Sequence, residues 1–169
     1  TISLWTKRES DLAAYTQQTL IGKWGPDERA YVLRYLSDDY NVKKLRWQVS
    51  NNGYGDDDHQ IAATLTTGTV YHILVDWQAS THTVTIYVNN SSMGSDNSGT
   101  VTSIRNGSGS FMIGADQHLG NYWDGWIDEV GVWSRRLTSD ERTYLYNGGA
   151  GRSYADLAPS AAAKRRIIN

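Results

Sequence analysis

One acidic residue stands among apolar residues in a strand-like segment near the end of the chain. Asp128, Val130 and Val132 alternate with other residues between Gly125 and Trp133, and side chains two positions apart share one face of an extended strand. A carboxylate in line with core-forming side chains is destabilising unless it is paired, hydrogen-bonded or bound to a cation. Asp128 is therefore a candidate metal ligand. The alternative is an aspartate that accepts backbone hydrogen bonds at a strand end or bulge.

Two further segments carry aromatic rings beside polar side chains and lack the periodicity of a core element. They are residues 51–59 and 116–123. The C–H face of a sugar ring stacks on tyrosine or tryptophan, while carboxylates and amides bind its hydroxyl groups. The segments predict a ligand-binding site for carbohydrate, with the candidate residues Tyr54, Asp56, Asp58, His118, Asn121, Tyr122 and Trp123. For Tyr122 and Trp123, the alternative is packing beneath the closing strand.

Catalysis would need a second reactive group in a defined position, and the sequence indicates none. Retaining glycoside hydrolysis uses two carboxyl groups about 5 Å apart, but no glutamate in the sequence has a partner in that arrangement. Asp128 and Glu129 are adjacent, so they point to opposite faces of a strand. An aspartate pair elsewhere, or a lyase site that combines His72, His82 or His118 with Arg34 or Arg46, is less favoured. We therefore predict no catalytic residue.

Short strands separated by turn residues must position these side chains. Hydrophobic alternation predicts strands at residues 2–7, 19–24, 30–36, 44–50, 60–65, 70–77, 83–88, 101–104, 111–114 and 125–133. Connections rich in glycine, asparagine and aspartate lie between them, among them residues 89–94. Residues 70–77 and 83–88 read as a long hairpin. This regular spacing is typical of an antiparallel sandwich and not of βαβ units.

One short helix is predicted after the last strand. The sequence Thr-Ser-Asp-Glu at residues 138–141 is a capping box that places two acidic residues at the positive end of the helix dipole. Asn147 and the two glycines after it end the helix. Residues 158–169 change abruptly to an alanine-rich, basic composition. The chain is thus predicted to be one domain over residues 1–157, followed by a linker or tail.

Composition limits the classes of partner. The 169 residues carry a formal net charge of −2, which creates no field that would attract nucleic acid or an anionic membrane. No segment approaches the roughly 18 consecutive apolar residues of a membrane span. There is no cysteine, so disulfides, thiol nucleophiles and thiolate metal sites are excluded. We expect neither nucleic-acid binding nor membrane insertion.

Several segments occur in an order and spacing that, as a set, is specific. They are Ile2-Ser3-Leu4-Trp5, Leu20-Ile21-Gly22-Lys23-Trp24, the stretch 65–72, the stretch 85–89 and the closing segment 111–146. Together they resemble the laminin-G-like jelly rolls of the concanavalin A-like lectin and glucanase superfamily. The resemblance implies an all-β fold, a two-sheet antiparallel jelly-roll sandwich with one short C-terminal helix. Folds of this class host lectins, glycosidases, lyases and structural modules.

Calcium (Ca²⁺) is the cofactor that the sequence favours, in a structural role. It takes six to eight oxygen ligands, which suits a strand-end aspartate among loop carbonyls, and the resembling jelly rolls often place a structural calcium against the residue that matches Asp128. The acidic run Asp56 to His59 is a second candidate, because adjacent carboxylates repel one another. A solvated acidic loop is the favoured interpretation of that run.

The sequence therefore predicts a non-catalytic carbohydrate-binding or adhesion module that is extracellular, on a cell surface or on a virion surface. Its partner would be a glycan or a surface protein, and the module would belong to a larger chain or assembly. The alternative is a structural or decoration module of a virion, tail fibre or cell-surface assembly that binds protein rather than sugar. A glycoside hydrolase or polysaccharide lyase is a less favoured alternative.

Overall fold

Alternating apolar and polar side chains set much of the described backbone into extended strands. The structure is a computed structural model that describes residues 1–117, 121–153 and 156. Within these residues the strands are β1 (Ile2–Arg8), β2 (Gln17–Lys23), β3 (Tyr31–Ser37), β4 (Lys43–Val49), β5 (Asp57–Ala62), β6 (Val70–Gln78), β7 (Thr83–Val88), β8 (Ser91–Asp96), β9 (Phe111–Ile113) and β10 (Gly125–Val132). The helix α1 (Ser139–Tyr146) follows them, and it is the one complete α-helix among the described residues.

The strands form two antiparallel sheets of five strands each. Sheet A has the order β10-β1-β6-β7-β8, and sheet B has the order β5-β4-β3-β2-β9. Every described pairing is antiparallel, including the predicted hairpin of β6 and β7. The predicted all-β jelly-roll sandwich with one short helix is confirmed.

The core lies between the inner faces of the two sheets. Leu4, Ile73 and Ile86 enter it from sheet A, and Leu33 and Leu45 enter it from sheet B. Each of these side chains is fully buried, and burying one aliphatic side chain stabilises a fold by about 1.5–3 kcal/mol. The inner faces therefore hold the sheets together and leave the outer faces free for other roles.

The predicted strands agree with the structure except around β5 and in the region after β7. Residues 57–59 were expected to belong to a solvated acidic loop and the strand to begin at residue 60, but Asp57 begins β5, and Asp58 pairs there with Arg46 of β4. Residues 101–104 were expected to form a strand, but they are irregular, and the amides of Thr100 and Val101 donate to Asp57 instead of to a ladder. Residues 89–94 were expected to form a turn, yet Ser91–Asp96 form β8. This strand is polar because it lies at the exposed edge of sheet A, so it has no hydrophobic alternation to detect.

The capping box that predicted α1 is present. The Thr138 hydroxyl accepts from the Glu141 amide over 3.2 Å, and the Glu141 carboxylate accepts from the Thr138 amide over 2.9 Å. Asn147 ends the helix in the left-handed conformation. None of the described helices has the length and apolar character needed to span a membrane. The predicted tail, residues 158–169, lies outside the described residues.

Candidate functional site

Two arginines face each other on the outer surface of sheet B. Leu33 of β3 and Leu45 of β4 point into the core, so their alternating neighbours Arg34 and Arg46 point outward. The strand register places the two arginines directly opposite one another. Like charges in this position destabilise a sheet, so the face must supply compensating carboxylates.

The more deeply placed arginine, Arg34, is held by a buried aspartate. Its Nη2 donates a hydrogen bond to Asp116 Oδ2 over 2.6 Å, and its Nη1 donates to Gln48 Oε1 over 2.6 Å. Its Nε donates to the Thr19 hydroxyl over 3.3 Å. Only 5% of the Arg34 side chain and 0% of the Asp116 side chain are exposed. The pair is therefore a fixed part of the face.

Burial and pairing have opposite effects on this pair. Burial would raise the pKa of Asp116, but the hydrogen bond and charge of Arg34 outweigh it and hold the pKa of Asp116 below its usual value. Burial lowers the pKa of Arg34 in spite of the bond to Asp116, yet a guanidinium stays protonated in proteins. Both groups are therefore charged at neutral pH.

The second arginine, Arg46, is paired closer to the solvent. Its Nε and Nη2 donate to the two carboxylate oxygens of Asp58 over 2.8 and 2.5 Å, which makes a bidentate pair. Its Nη1 donates to Gln17 Oε1 over 3.1 Å. The side chains are 22% exposed for Arg46 and 33% for Asp58. A ligand can reach this pair, whereas the Arg34–Asp116 pair is shielded.

Hydrogen bonds extend from Gln48 toward the loop between β4 and β5. Gln48 Nε2 donates to Asp56 Oδ2 over 2.6 Å, and Arg29 Nη1 donates to Asp56 Oδ1 over 2.9 Å. Arg29 Nη1 also donates to the backbone carbonyl of Tyr54 over 2.7 Å. The Arg29 guanidinium lies 5.5 Å from the centre of the Trp24 ring. The polar side chains of the face are thus positioned before any ligand arrives.

Two adjoining depressions lie over this network. They measure about 260 and 440 Å³ and share the side chains of Gln17, Arg46 and Asn121. Tyr15 lines the larger depression and is 78% exposed. Tyr54 is 63% exposed and follows β4 at the opposite end of the strands. Residues 31–36 of β3, which run between these ends, span about 17 Å at roughly 3.4 Å per residue. We call the two depressions, together with the outer face of sheet B between Tyr15 and Tyr54, the sheet B groove.

Comparison with known proteins assigns the sandwich to a family. Residues 1–141 match the Concanavalin A-like lectin/glucanases superfamily. The chain belongs to this superfamily. The resemblance inferred from the sequence is thereby confirmed. No curated protein matches the chain.

Three solved structures have a similar fold at low sequence identity. The CBM40 of the IT-sialidase from Ruminococcus gnavus aligns with a TM-score of 0.65 at 15% identity, over 86% of this chain and 80% of that chain. A heptameric SAP-like pentraxin from Limulus polyphemus gives 0.64 at 16%, over 86% and 68%. Domain 4 of an extracellular arabinanase from Geobacillus stearothermophilus gives 0.60 at 20%, over 86% and 65%. Likeness at this level of identity is evidence of the fold alone.

The superfamily fold brings some of the predicted site residues together and separates others. Asp56, Asp58 and Asn121 all contribute to the sheet B groove or its network, and Tyr54 lies at its edge. The Trp123 ring is 8% exposed and packs edge-on against Tyr35 in the core, with ring centres 6.4 Å apart. The packing alternative therefore describes Trp123, which presents no ring face to a ligand.

Among the described residues, Tyr122 has no contact with the groove. Tyr122 is 56% exposed and stands next to Asn121 in the chain. His118 lies outside the described residues. The interpretation of Tyr122 as a ligand contact stays a prediction.

Several residues of the groove were not predicted as ligand-binding residues from the sequence. They are Tyr15, Arg29, Arg34, Arg46, Gln48 and Asp116. Arg34 and Arg46 were considered only as arginines of a lyase site. The signal for both was a charged residue at an outward position of a periodic strand. Asp116 begins the candidate segment 116–123, but only the folded chain brings it to Arg34.

The structure corrects the expected surroundings of Asp128. The register of β1 against β10 shifts between Ser3 and Trp5, and Trp5 lies opposite Asp128. The shift is a β-bulge, and Glu129 has a positive φ of 46°. The bulge breaks the alternation, so the predicted shared core face is wrong: Asp128 is exposed, and Val132 is 53% exposed. Asp128 Oδ1 accepts a hydrogen bond from the Glu129 amide over 2.7 Å. Asp128 therefore fits the alternative interpretation, an aspartate that accepts a backbone hydrogen bond at a bulge.

Side chains alone do not build a calcium site around Asp128. Across residues 1–117, 121–153 and 156, no group of three or more histidines, aspartates and glutamates is arranged to hold a metal ion. Calcium takes six to eight oxygens, so carbonyls and water would have to supply most of them at Asp128. Structural calcium at this position stays a prediction.

A serine and a histidine meet on the outer face of sheet A, beneath α1. Ser3 Oγ and His72 Nε2 are 2.7 Å apart, and both residues are buried. Burial lowers the pKa of His72 to about 4. Nδ1 of His72 has no hydrogen-bond partner among the described residues, so no acidic group orients this imidazole as a catalytic triad requires. His72 is the hydrogen-bonded, buried imidazole of a structural pair.

Proposed function

We propose that the chain is a non-catalytic carbohydrate-binding module and that the sheet B groove is its binding site. The observation that carries the proposal is the preformed network of guanidinium, carboxylate and amide groups between Tyr15 and Tyr54. A sugar hydroxyl both donates and accepts hydrogen bonds, so it fits between a carboxylate and a guanidinium. Side chains that are fixed beforehand lose little entropy on binding.

The solved structures with a similar fold support the same class of ligand. The Ruminococcus gnavus CBM40 is also known bound to α2,3-sialyllactose, at a TM-score of 0.61 and 14% identity. The arabinanase domain is in complex with arabinotriose. Because these relatives bind different glycans, they favour carbohydrate binding in general and do not identify the sugar.

The test is binding of the purified chain to a panel of trisaccharides, followed by calorimetry on each ligand found. Tyr15→Ala removes a stacking surface, and Arg46→Met removes the hydrogen-bond donors at the centre of the groove while keeping the apolar stem. We expect each variant to bind at least about tenfold more weakly, which corresponds to about 1.4 kcal/mol.

Tyr144→Ala is the matched control, because Tyr144 is an exposed tyrosine of α1 on the other side of the sandwich. It should bind like the unaltered chain. Absence of binding to every trisaccharide, or equal binding by the two groove variants and the control, would overturn the proposal. Incubation with each bound trisaccharide should yield no cleavage product, and any turnover would contradict the non-catalytic assignment.

A protein-binding role in adhesion or in a virion, tail-fibre or cell-surface assembly has one supporting observation. Among the described residues β10 pairs with β1 alone, so its other edge is free. A depression of about 660 Å³ runs beside it, between Val132, Trp133 and the α1 residues Tyr144 and Leu145. Free edges accept added strands. A stable complex with a surface protein and no response to sugars would favour this second function.

Both functions would place the module outside the cell, on a cell surface or on a virion. Structural calcium at Asp128 belongs to the proposal as well. Titration of CaCl₂ into the chelator-treated chain should give a binding isotherm that Asp128→Asn abolishes. A flat titration of the unaltered chain would remove calcium from the proposal and leave carbohydrate binding intact.

A further inference from the structure

The charges of the sheet B groove are balanced, and the balance points to a class of sugar. Each described arginine of this face has an aspartate partner. The pairs are Arg29–Asp56 at 2.9 Å, Arg34–Asp116 at 2.6 Å and Arg46–Asp58 at 2.5 Å. Lys44, at the margin of the face, pairs with Asp38 over 2.9 Å. The groove therefore offers polar groups of both signs without a surplus of positive charge among its described arginines.

We infer that the groove binds neutral oligosaccharides and rejects sugars that carry a carboxylate. This inference rests on the proposed carbohydrate-binding function. A neutral hydroxyl group can donate to Asp58 and accept from Arg46 without changing the charge of the site. A sugar carboxylate would lie against the carboxylates of Asp56 and Asp58, and repulsion between like charges weakens binding.

The buried arginine cannot be recruited to neutralise an acidic sugar. Arg34 is hydrogen-bonded to Asp116, Gln48 and Thr19. Turning it toward a ligand would take its guanidinium away from the buried Asp116 carboxylate, and breaking a buried ion pair is strongly destabilising. The buried Arg34 therefore cannot supply positive charge to an acidic sugar.

Arg46 is the only one of the two facing arginines that a ligand can reach, and Asp58 determines what it can bind. The two oxygens of Asp58 occupy Nε and Nη2 of Arg46, which is the fork that would otherwise take a sugar carboxylate in a bidentate manner. An acidic sugar must displace Asp58, while a neutral one need not. Asp58 is therefore the residue that sets specificity.

The experiment compares neutral and acidic trisaccharides on the unaltered chain and on Asp58→Asn. The neutral probes are arabinotriose, xylotriose, cellotriose and fully methyl-esterified trigalacturonate, and the acidic probes are trigalacturonate and sialyllactose. The ester and the free acid of trigalacturonate share one ring skeleton and differ in charge. For the unaltered chain we expect at least one neutral probe to bind about tenfold more tightly than either acidic probe.

Asp58→Asn keeps the size of the side chain and leaves Arg46 without a carboxylate partner. We expect this variant to gain at least about tenfold in affinity for an acidic probe relative to the best neutral one, and the gain should shrink in high salt because exposed charges are screened. Asp140→Asn, on α1 at the other sheet, makes the same change in net charge and should leave the ratio unchanged. Asp58→Ser is a second variant if Asp58→Asn fails to fold.

The outcomes separate the two proposals. Acidic probes that bind the unaltered chain as tightly as the neutral ones would overturn the inference and leave the proposed function in place. An unchanged ratio in a folded Asp58 variant would also overturn it. Failure of every probe to bind would overturn the proposed function, and the inference with it.

Discussion

The outer faces of the two sheets differ in what covers them. On sheet A, the Trp5 ring lies 5.0 Å from the His72 ring and 6.0 Å from Tyr146 of α1, and Arg142 of α1 lies 4.3 Å from the Tyr87 ring. On sheet B, no described helix covers the groove, and the pairs at its centre are polar. Aromatic residues on the outer face of sheet A pack against α1, whereas the groove on sheet B, which is lined by paired charges, stays open to solvent.

The same strand pattern thus yields two kinds of surface. Both sheets place apolar residues inward and other residues outward. The outward residues of sheet A become a second, smaller buried layer that stabilises the fold, and those of sheet B become a rigid polar groove. Changes on sheet A should therefore affect stability, and changes at the exposed positions of sheet B should affect binding.

We expect the greatest loss of stability when the buried ion pair of the groove, Arg34–Asp116, is broken. Arg34→Leu leaves the buried Asp116 charge without its guanidinium, and breaking a buried pair in this way costs about 3–5 kcal/mol. Urea unfolding measures the loss. Arg46→Leu is the control from the same face, and because its pair is partly exposed we expect a loss below about 1 kcal/mol. Similar losses in the two variants would contradict the division of the face into a buried pair and an accessible pair.

A second prediction concerns the pH dependence of stability on sheet A. The pKa of His72 falls from 6.5 to about 4 in the folded chain because of burial, so between these values the unfolded chain binds more protons. Stability is unaffected by His72 above about pH 6.5, declines as the pH falls, and the full loss is reached below about pH 4. The shift corresponds to about 3 kcal/mol.

Chemical denaturation at about pH 7 and pH 4.5 checks this prediction, with His72→Gln as the comparison. Carboxylates with lowered pKa values, such as Asp116, also lose stability in acid, and they do so in both proteins. The difference between the two proteins therefore isolates His72. Equal losses on acidification would show that the imidazole is not the group responsible.

The sequence predicts the fold well because the fold depends on the inner faces. Apolar alternation marks the strands that line the core, and a local capping box marks α1. β8 escaped detection because its register comes from hydrogen bonds to β7 and not from its own polar side chains. The bulge at Glu129 escaped detection for a related reason, since a positive φ at a non-glycine residue has no signature in the alternation.

The candidate site is less predictable because it depends on contacts between distant residues. Loop composition pointed to Tyr54, Asp56, Asp58 and Asn121, each of which carries its own polar or aromatic signature. Arg34 functions in the groove through Asp116, which lies 82 residues away in the chain. Only the folded structure brings such residues together, so sequence patterns found Asp58 and the loop residues of the groove but not the pairing of its strand arginines.

We expect smaller losses of stability when one tyrosine is removed from each outer face. Tyr146→Ala removes a half-buried ring that stacks on Trp5 and His72, and aromatic pairs contribute roughly 0.5–1.5 kcal/mol each. We expect a loss of about 1–2 kcal/mol in unfolding free energy and unchanged trisaccharide binding. Tyr15→Ala removes an exposed ring, so its unfolding free energy should stay within about 0.5 kcal/mol of the unaltered chain, while trisaccharide binding weakens at least about tenfold. The two tyrosines lie on opposite sheets. Weaker trisaccharide binding by Tyr146→Ala would therefore contradict the division between a stabilising face and a binding face.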